Sequence, residues 1–279
     1  MLSILLFFSY LGLYSQQYNF TRMSVEDGLA QSQVWSLLQD SRGMIWMGTR
    51  GGGVSVFNGI YFTTFNSKNG LPNNIIWCIA EDKQKDIWIG TDDGLVRYDG
   101  IRFEQITATT VNLKDKIQTL AFDKKGELWI GTSSSLIVFN GKDFRNLKDE
   151  ENKPIRNVSI ILHDAKDHHW VGNDNGLFQF SGSKLIKLYQ KKDGLSNLLV
   201  RSLTQDATGN IWIGTYGGGV FIFNGKKIYR PEDRYELRSK IIHHLYADSK
   251  STIWIATHSD GVYRFSTNDS TINWLSEKD

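Results

Sequence analysis

The sequence predicts an all-β fold, a β-propeller of four-stranded antiparallel blades. Three observations predict it: a tryptophan-centred motif recurring six times about every 42 residues, a composition of 26 Gly against 3 Pro, and no long stretch of helical hydrophobic spacing. A fixed period in this range means an array architecture, and four short strands per period mean a propeller blade.

The motif cores are Ile45-Trp46-Met47-Gly48-Thr49, Ile87-Trp88-Ile89-Gly90-Thr91, Leu128-Trp129-Ile130-Gly131-Thr132, His169-Trp170-Val171-Gly172-Asn173, Ile211-Trp212-Ile213-Gly214-Thr215 and Ile253-Trp254-Ile255-Ala256-Thr257. An apolar strand precedes each core, as in Val34-Trp35-Ser36-Leu37-Leu38 and Val200-Arg201-Ser202-Leu203-Thr204. A glycine-rich loop follows, then a third strand such as Val220-Phe221-Ile222-Phe223. Asn58-Gly59, Asp99-Gly100, Asn140-Gly141 and Asn224-Gly225 are two-residue hairpin signals leading into a more polar fourth strand. Blades pack face to face, which explains near-continuous apolar runs where a half-exposed sheet would alternate. The tryptophan reads as a structural wedge between neighbouring blades.

Asp40, Asp82, Asp123, Asp164, Asp206 and Asp248 each stand six residues before a core tryptophan. Asp-Ser-Arg-Gly and Asp-Lys-Lys-Gly are type I turn chemistry, the carboxylate accepting backbone N–H groups just ahead. One acid per unit at a hairpin turn is explained by the turn, and the six are not expected to meet at a catalytic or calcium site.

Of 279 residues, 40% are hydrophobic and 22% charged, which places the chain with folded globular proteins. The formal charge of +2 comes from scattered Lys and Arg, so nucleic acid is not an expected partner. The single cysteine, Cys78, lies in an apolar run and reads as a packed core thiol, with no disulfide framework or Cys-rich zinc site. Residues 1–15 are uncharged and mostly apolar, too short to span a bilayer, and read as a signal peptide cleaved after Ser15, although the usual positive n-region is missing. The propeller then occupies residues 16–279, periplasmic or extracellular, with no membrane span expected.

Tyr18-Asn19-Phe20-Thr21-Arg22-Met23 resembles a fourth strand without its three inner strands, while Thr271-Ile272-Asn273-Trp274-Leu275 already completes the sixth unit. The expectation is a seven-bladed ring of which this chain carries six repeats; the alternative is a ring closed at six.

The recurring Asn-x-Ile-x-x-Ile-x-x-Asp, Gly-x-Ile-Trp-Ile-Gly-Thr, Gly-Gly-Leu and aromatic-Asp/Asn-Gly pattern resembles the two-component regulator propeller repeat, over about residues 18–275. Unit four departs most, with His169-Trp170-Val171-Gly172-Asn173, and unit six has Ala256 for Gly. The resemblance implies the periplasmic sensor region of a hybrid histidine kinase, whose partners include downstream receptor domains: a β-sandwich, a membrane helix, a kinase core and often a receiver. None of those is encoded here, so the expected role is ligand sensing and not catalysis.

Positions that differ between repeats are candidates for function. Four residues after each tryptophan stand Arg50, Asp92, Ser133, Asp174, Tyr216 and His258; eleven before it stand Trp35, Trp77, Gln118, Ser159, Arg201 and His243. In a meander both sets fall at one rim of the ring. Arg50, Asp92, Asp174, Tyr216, His258, Trp35, Trp77, Arg201 and His243 form the expected ligand surface, a polar and aromatic bowl suited to a polar small molecule or oligosaccharide. Gly51-Gly52-Gly53 and Gly217-Gly218-Gly219 lie in the same loops and read as permissive turns, lacking the helix or Lys of a phosphate loop. His163, His168 and His169 lie near Asp164 and Asp167 at the opposite rim without convincing metal-ligand spacing, and no cofactor or metal is expected. No catalytic motif appears; the alternatives are a stand-alone secreted propeller binding glycan or protein, and a propeller lyase or hydrolase using Arg201, His243 and His258.

Overall fold

The computed structural model describes residues 21–231, 237–267 and 271–275. Blade 1 is β1 (Val34–Gln39), β2 (Ile45–Thr49), β3 (Val54–Phe57) and β4 (Phe62–Phe65). Blade 2 is β5 (Ile76–Glu81), β6 (Ile87–Thr91), β7 (Gly94–Tyr98) and β8 (Phe103–Ile106). Blade 3 is β9 (Ile117–Phe122), β10 (Leu128–Thr132), β11 (Leu136–Phe139) and β12 (Phe144–Leu147). Blade 4 is β13 (Ile160–His163), β14 (His168–Gly172), β15 (Leu177–Ser181) and β16 (Lys184–Tyr189). Blade 5 is β17 (Val200–Gln205), β18 (Ile211–Thr215), β19 (Gly219–Phe223) and β20 (Ile228–Tyr229). Blade 6 is β21 (Ile242–Ala247), β22 (Thr252–Thr257), β23 (Val262–Ser266) and β24 (Thr271–Leu275).

Each blade is a meander whose consecutive strands pair antiparallel, and the six blades form a six-bladed β-propeller. Helix is limited, among the described residues, to two 3₁₀ turns at Ser67–Asn69 and Lys191–Asp193. The Asn-Gly hairpins behave as their chemistry requires: Asn58 Oδ1 accepts the N–H groups of Ile60 and Tyr61, both at 2.9 Å, while Gly59 takes φ 93°.

The orphan outer strand is not borne out where it can be followed. Thr21–Met23 carry no strand, because the chain turns instead: the Ser24 N–H and hydroxyl both bond the Asp27 carboxylate, at 2.7 and 2.9 Å, and Leu29 is buried behind them. Tyr18–Phe20 and the expected signal peptide lie outside the described residues.

Five hydrophobic cores, among the described residues, fill the interfaces between successive blades. Trp46 and Val56 of blade 1 meet Ile76, Ile79 and Ile89 of blade 2. The pattern repeats from Trp88 to Ile117, from Trp129 to Val158, from Trp170 to Val200 and from Trp212 to Ile242. The tryptophan is thus the interblade wedge that its period suggests. Inner strands pack in series from β1 to β5, β9, β13, β17 and β21, but β21 does not pack on β1 in the same way. There Leu37 is 68% exposed and Tyr246 59% exposed, whereas Ile79, Leu203 and Leu245, which occupy the Leu37 position in other blades, are buried.

A side-chain clasp not foreseen from sequence holds the turn to its wedge in five of the six blades. The indole N–H of Trp46, Trp88, Trp170, Trp212 and Trp254 donates to the Asp40, Asp82, Asp164, Asp206 and Asp248 carboxylate respectively, at 2.8 to 3.0 Å. The other carboxylate oxygen caps the turn: Asp206 Oδ1 accepts from the Thr208 and Asn210 N–H groups, each at 2.9 Å. The fixed separation of six residues therefore serves two purposes, turn and wedge. Burial by itself raises the Asp206 pKa, but the bonds from Trp212, Thr208 and Asn210 outweigh it and hold the carboxylate below its ordinary range. In blade 3 the indole N–H of Trp129 is buried without a partner, and the His169 ring lies 4.3 Å from the Trp129 ring.

Candidate ligand-binding rim

A repeated β-bulge builds the rim. Pairing between the first two strands slips by one residue at Val34/Ser36, Ile76/Cys78, Val200/Ser202 and Ile242/His244, and in blade 3 between Gly131 and Thr132. The skipped residues are Trp35, Trp77, Arg201, His243 and Gln118. A bulge leaves its extra residue out of the ladder and re-aims the side chain, so the variable positions present their side chains differently from their ladder-paired neighbours. Blade 4 has no such slip, and Ser159 instead turns its hydroxyl onto the Gly172 and Val200 carbonyls.

The residue four past each tryptophan is tied beside the bulge by its backbone: Arg50 N–H donates to Gln33 at 3.0 Å, Asp92 to Ile75 at 3.2 Å, Tyr216 to Leu199 at 2.8 Å and His258 to Ile241 at 3.1 Å. The two sets of positions consequently meet within each blade. The Arg50 guanidinium lies 5.0 Å over the Trp35 ring, and the Trp77 indole N–H donates to Asp92 at 3.0 Å. Arg201 lies 5.9 Å over Tyr216, and His243 Nε2 is 3.0 Å from His258 Nδ1. Between blades, the Trp35 and Trp77 rings are 4.1 Å apart, tilted by 38°.

Lys116, just ahead of β9, belongs to the same surface and was not singled out by the comparison of repeats. Its Nζ sits 3.3 Å from the Trp77 ring centroid. Burial lowers the Lys116 pKa, Asp92 raises it and the charge of Arg201 lowers it. Burial and then the charge of His258 depress the His243 pKa. Asp174 is exposed, and its carboxylate accepts a hydrogen bond from the Asn157 side chain at 2.7 Å. A separate pocket lined by Asp149, Glu151, Lys153, Asn175, Phe178 and Gln190 contains none of the bulge residues.

The glycine runs are turns, as their composition suggests. Gly51 and Gly53 donate to the Asn74 carbonyl at 3.0 and 2.9 Å and Gly52 to the Thr49 hydroxyl at 3.1 Å, so these N–H groups are committed within the fold. The histidines of unit four are structural in setting: His163 Nδ1 and His169 Nδ1 are 2.7 Å apart in the interface with Trp129, and His168 bonds Asp164 at 3.0 Å. Cys78 is buried against the Ile117 carbonyl, and burial pushes its thiol pKa up.

Residues 28–51, 70–93, 113–134 and 194–217 match the two component regulator propeller family. The matched segments fall in four of the six repeats. Each match begins beside a buried leucine, Leu29, Leu71, Leu113 or Leu195, and ends in the loop at the rim. Units four and six, which depart from the pattern at His169-Trp170-Val171-Gly172-Asn173 and at Ala256, are the ones outside the match.

Among solved structures, the chain is similar to the extracellular domain of the hybrid two component system BT3049 from B. thetaiotaomicron, at 28% identity and a TM-score of 0.69, covering 90% of this chain and 35% of that one. The chain thus spans about a third of the length of that relative. It also shares its fold with virginiamycin B lyase from Staphylococcus aureus (13% identity, TM-score 0.72, 87% of this chain and 84% of that one). PorZ, a surface component of the type-IX secretion system of Porphyromonas gingivalis, likewise shares the fold (16% identity, TM-score 0.73, 89% and 42%). No curated protein matches the chain. No helix among the described residues is long and apolar enough to cross a membrane.

Proposed function

We propose that this propeller is the extracytoplasmic ligand-sensing part of a two-component signalling receptor of the hybrid histidine kinase kind, and that the bulged rim is its ligand surface. The observation that carries the reading is the coincidence of two properties in the same residues. Trp35, Trp77, Arg201 and His243 are released from the ladder by bulges, and they are also the positions at which otherwise similar repeats diverge. A fold that conserves its wedges while varying one concentric ring is arranged to hold a shape constant and adjust its contacts. The 28% identity to an extracellular domain of a hybrid two component system supports export and a sensing role.

The rim reads as a binding surface and not as a catalytic one. His243 engages His258 and Arg201 lies over Tyr216, so an acid–base trio of Arg201, His243 and His258 would first have to give up both contacts. Titration of the purified chain with candidate oligosaccharides, read by tryptophan fluorescence, tests the reading: Trp35 and Trp77 respond, and Trp77→Ala abolishes the response. Binding that survives loss of both Trp77 and Arg201 places the ligand elsewhere.

A further inference from the structure

Blade 6 fills both of its variable positions with imidazoles. His243 is the bulged residue of β21, and the His258 N–H donates to the Ile241 carbonyl at 3.1 Å, so the backbone holds the two residues side by side. His243 Nε2 comes 3.0 Å from His258 Nδ1, with ring centroids 5.2 Å apart and ring planes tilted by 56°. Both residues are exposed. In blades 1, 2 and 5 the same two positions hold a cation over a ring or an indole bonded to a carboxylate. Only blade 6 brings two metal-ligating side chains together there.

Neutral imidazole is the commonest protein ligand of transition metals and suits copper, zinc and nickel. With metal–nitrogen bonds of about 2.1 Å, an ion set beside the line joining nitrogens 3.0 Å apart is reached by both at an angle of about 90°. That is the angle between neighbouring ligands in tetragonal copper(II). A tetrahedral zinc site needs the nitrogens to spread by a few tenths of an ångström, which exposed rings can do. The proton between the rings is not lost. It moves to the outer nitrogen of whichever ring carries it, His243 Nδ1 or His258 Nε2, and both facing nitrogens then offer lone pairs. Burial and then the charge of His258 hold the His243 pKa below its ordinary value, which favours the neutral ring that a metal requires.

We propose that His243 and His258 form an open two-imidazole site for a divalent transition-metal ion, copper(II) foremost and zinc more weakly. Among the described residues no group of three or more His, Cys, Asp or Glu side chains is placed to hold a metal, so water or a ligand atom completes the coordination. The preference for copper follows the general order of affinity of nitrogen sites for divalent metals. The inference stands on the geometry of blade 6 and does not require Trp35 and Trp77 to be a ligand surface.

Isothermal titration of the untagged chain near neutral pH with CuCl2, ZnCl2 and MgCl2 tests it. Copper is expected to bind more tightly than zinc, and magnesium, which prefers oxygen ligands, not to bind. His243→Gln and His258→Gln are each expected to weaken copper binding at least about tenfold, the lower end of what loss of a supporting group costs a metal site. His244→Gln, at the exposed neighbour, leaves it unchanged. A second measurement uses the unaltered chain: substoichiometric copper, being paramagnetic, broadens the ring resonances of His243 and His258 and spares those of His163 and His169. Copper binding that survives both single variants, broadening that spares His243 and His258, magnesium binding as tightly as copper, or no binding by copper and zinc overturns the proposal. None of these outcomes bears on the oligosaccharide titration of Trp35 and Trp77, so the two readings fail separately.

Discussion

A Cβ built on Gly214 would stand 2.7 Å from Ile242 Cγ2, the first residue of the next blade's inner strand. The same collision recurs between Gly48 and Ile76 at 2.6 Å, Gly90 and Ile117 at 2.8 Å, Gly131 and Val158 at 2.5 Å, and Gly172 and Val200 at 2.5 Å. The glycine after each wedge is thus the place where one blade's second strand meets the next blade's first. Blade 6 carries Ala256 there, and Val34, the matching residue of blade 1, is only half-buried while its five equivalents are fully buried. The departure of unit six from the repeat follows from the looser contact between blades 6 and 1.

Gly214→Ala is accordingly expected to cost about 1 to 3 kcal/mol by overpacking, measured by urea denaturation. An unchanged midpoint would mean that blades 5 and 6 are not in contact at Ile242.

The clasp makes a paired prediction. Trp212→Phe strands a buried carboxylate oxygen of Asp206 and is expected to cost about 1 to 3 kcal/mol beyond the small change in apolar area. Trp129→Phe removes an indole N–H that has no partner, and is expected to cost distinctly less. Equal losses would show that the hydrogen bond contributes nothing to the wedge.

Leu37 and Leu203 occupy the same position in blades 1 and 5, at 68% and 5% exposure. Leu203→Ala is expected to lose about 2 to 5 kcal/mol, and Leu37→Ala no more than about 0.5 kcal/mol. A large loss at Leu37 would mean that in solution another surface covers this side of blade 1.

The His163–His169 pair gives stability a pH dependence. Burial, and secondarily the charge of His169, lowers the His163 pKa to about 4 from the ordinary 6.5. The unfolded chain takes up the proton first as pH falls, so this contribution to stability is intact above pH 6.5, declines from there to about 4 and is fully lost below it. Below that, the depressed carboxylates of Asp164, Asp206 and Asp248 lose their own contribution. His163→Leu should flatten the upper part of the profile, followed as the urea midpoint against pH; an unaltered slope would remove His163 as its source.

The blades were legible because the tryptophan period, the Asn-Gly hairpins and the apolar runs are all local signals that agree. The meeting of Trp35 with Arg50, or His243 with His258, was also legible, since strand counting alone places both sets at one rim. What sequence did not reveal depends on register and on neighbours distant in the chain. The bulge that frees Trp77 is a one-residue slip with no composition signature. The Asp206–Trp212 clasp was hidden by a turn that already explained the aspartate. Lys116 was missed because it precedes the variable position by two residues and reaches Trp77 from the next blade.

Indole N–H resonances offer the most direct test of the rim as ligand surface, because the nine tryptophans are distributed over every part of the fold. On titration with candidate oligosaccharides, the resonances of Trp35 and Trp77 are predicted to shift in proportion to occupancy while those of Trp46, Trp88, Trp170 and Trp212, clasped between blades, stay in place. Shifts confined to the clasped tryptophans, or to Trp129 beside the buried histidines, with Trp35 and Trp77 unmoved, would contradict the account and move the ligand away from the rim.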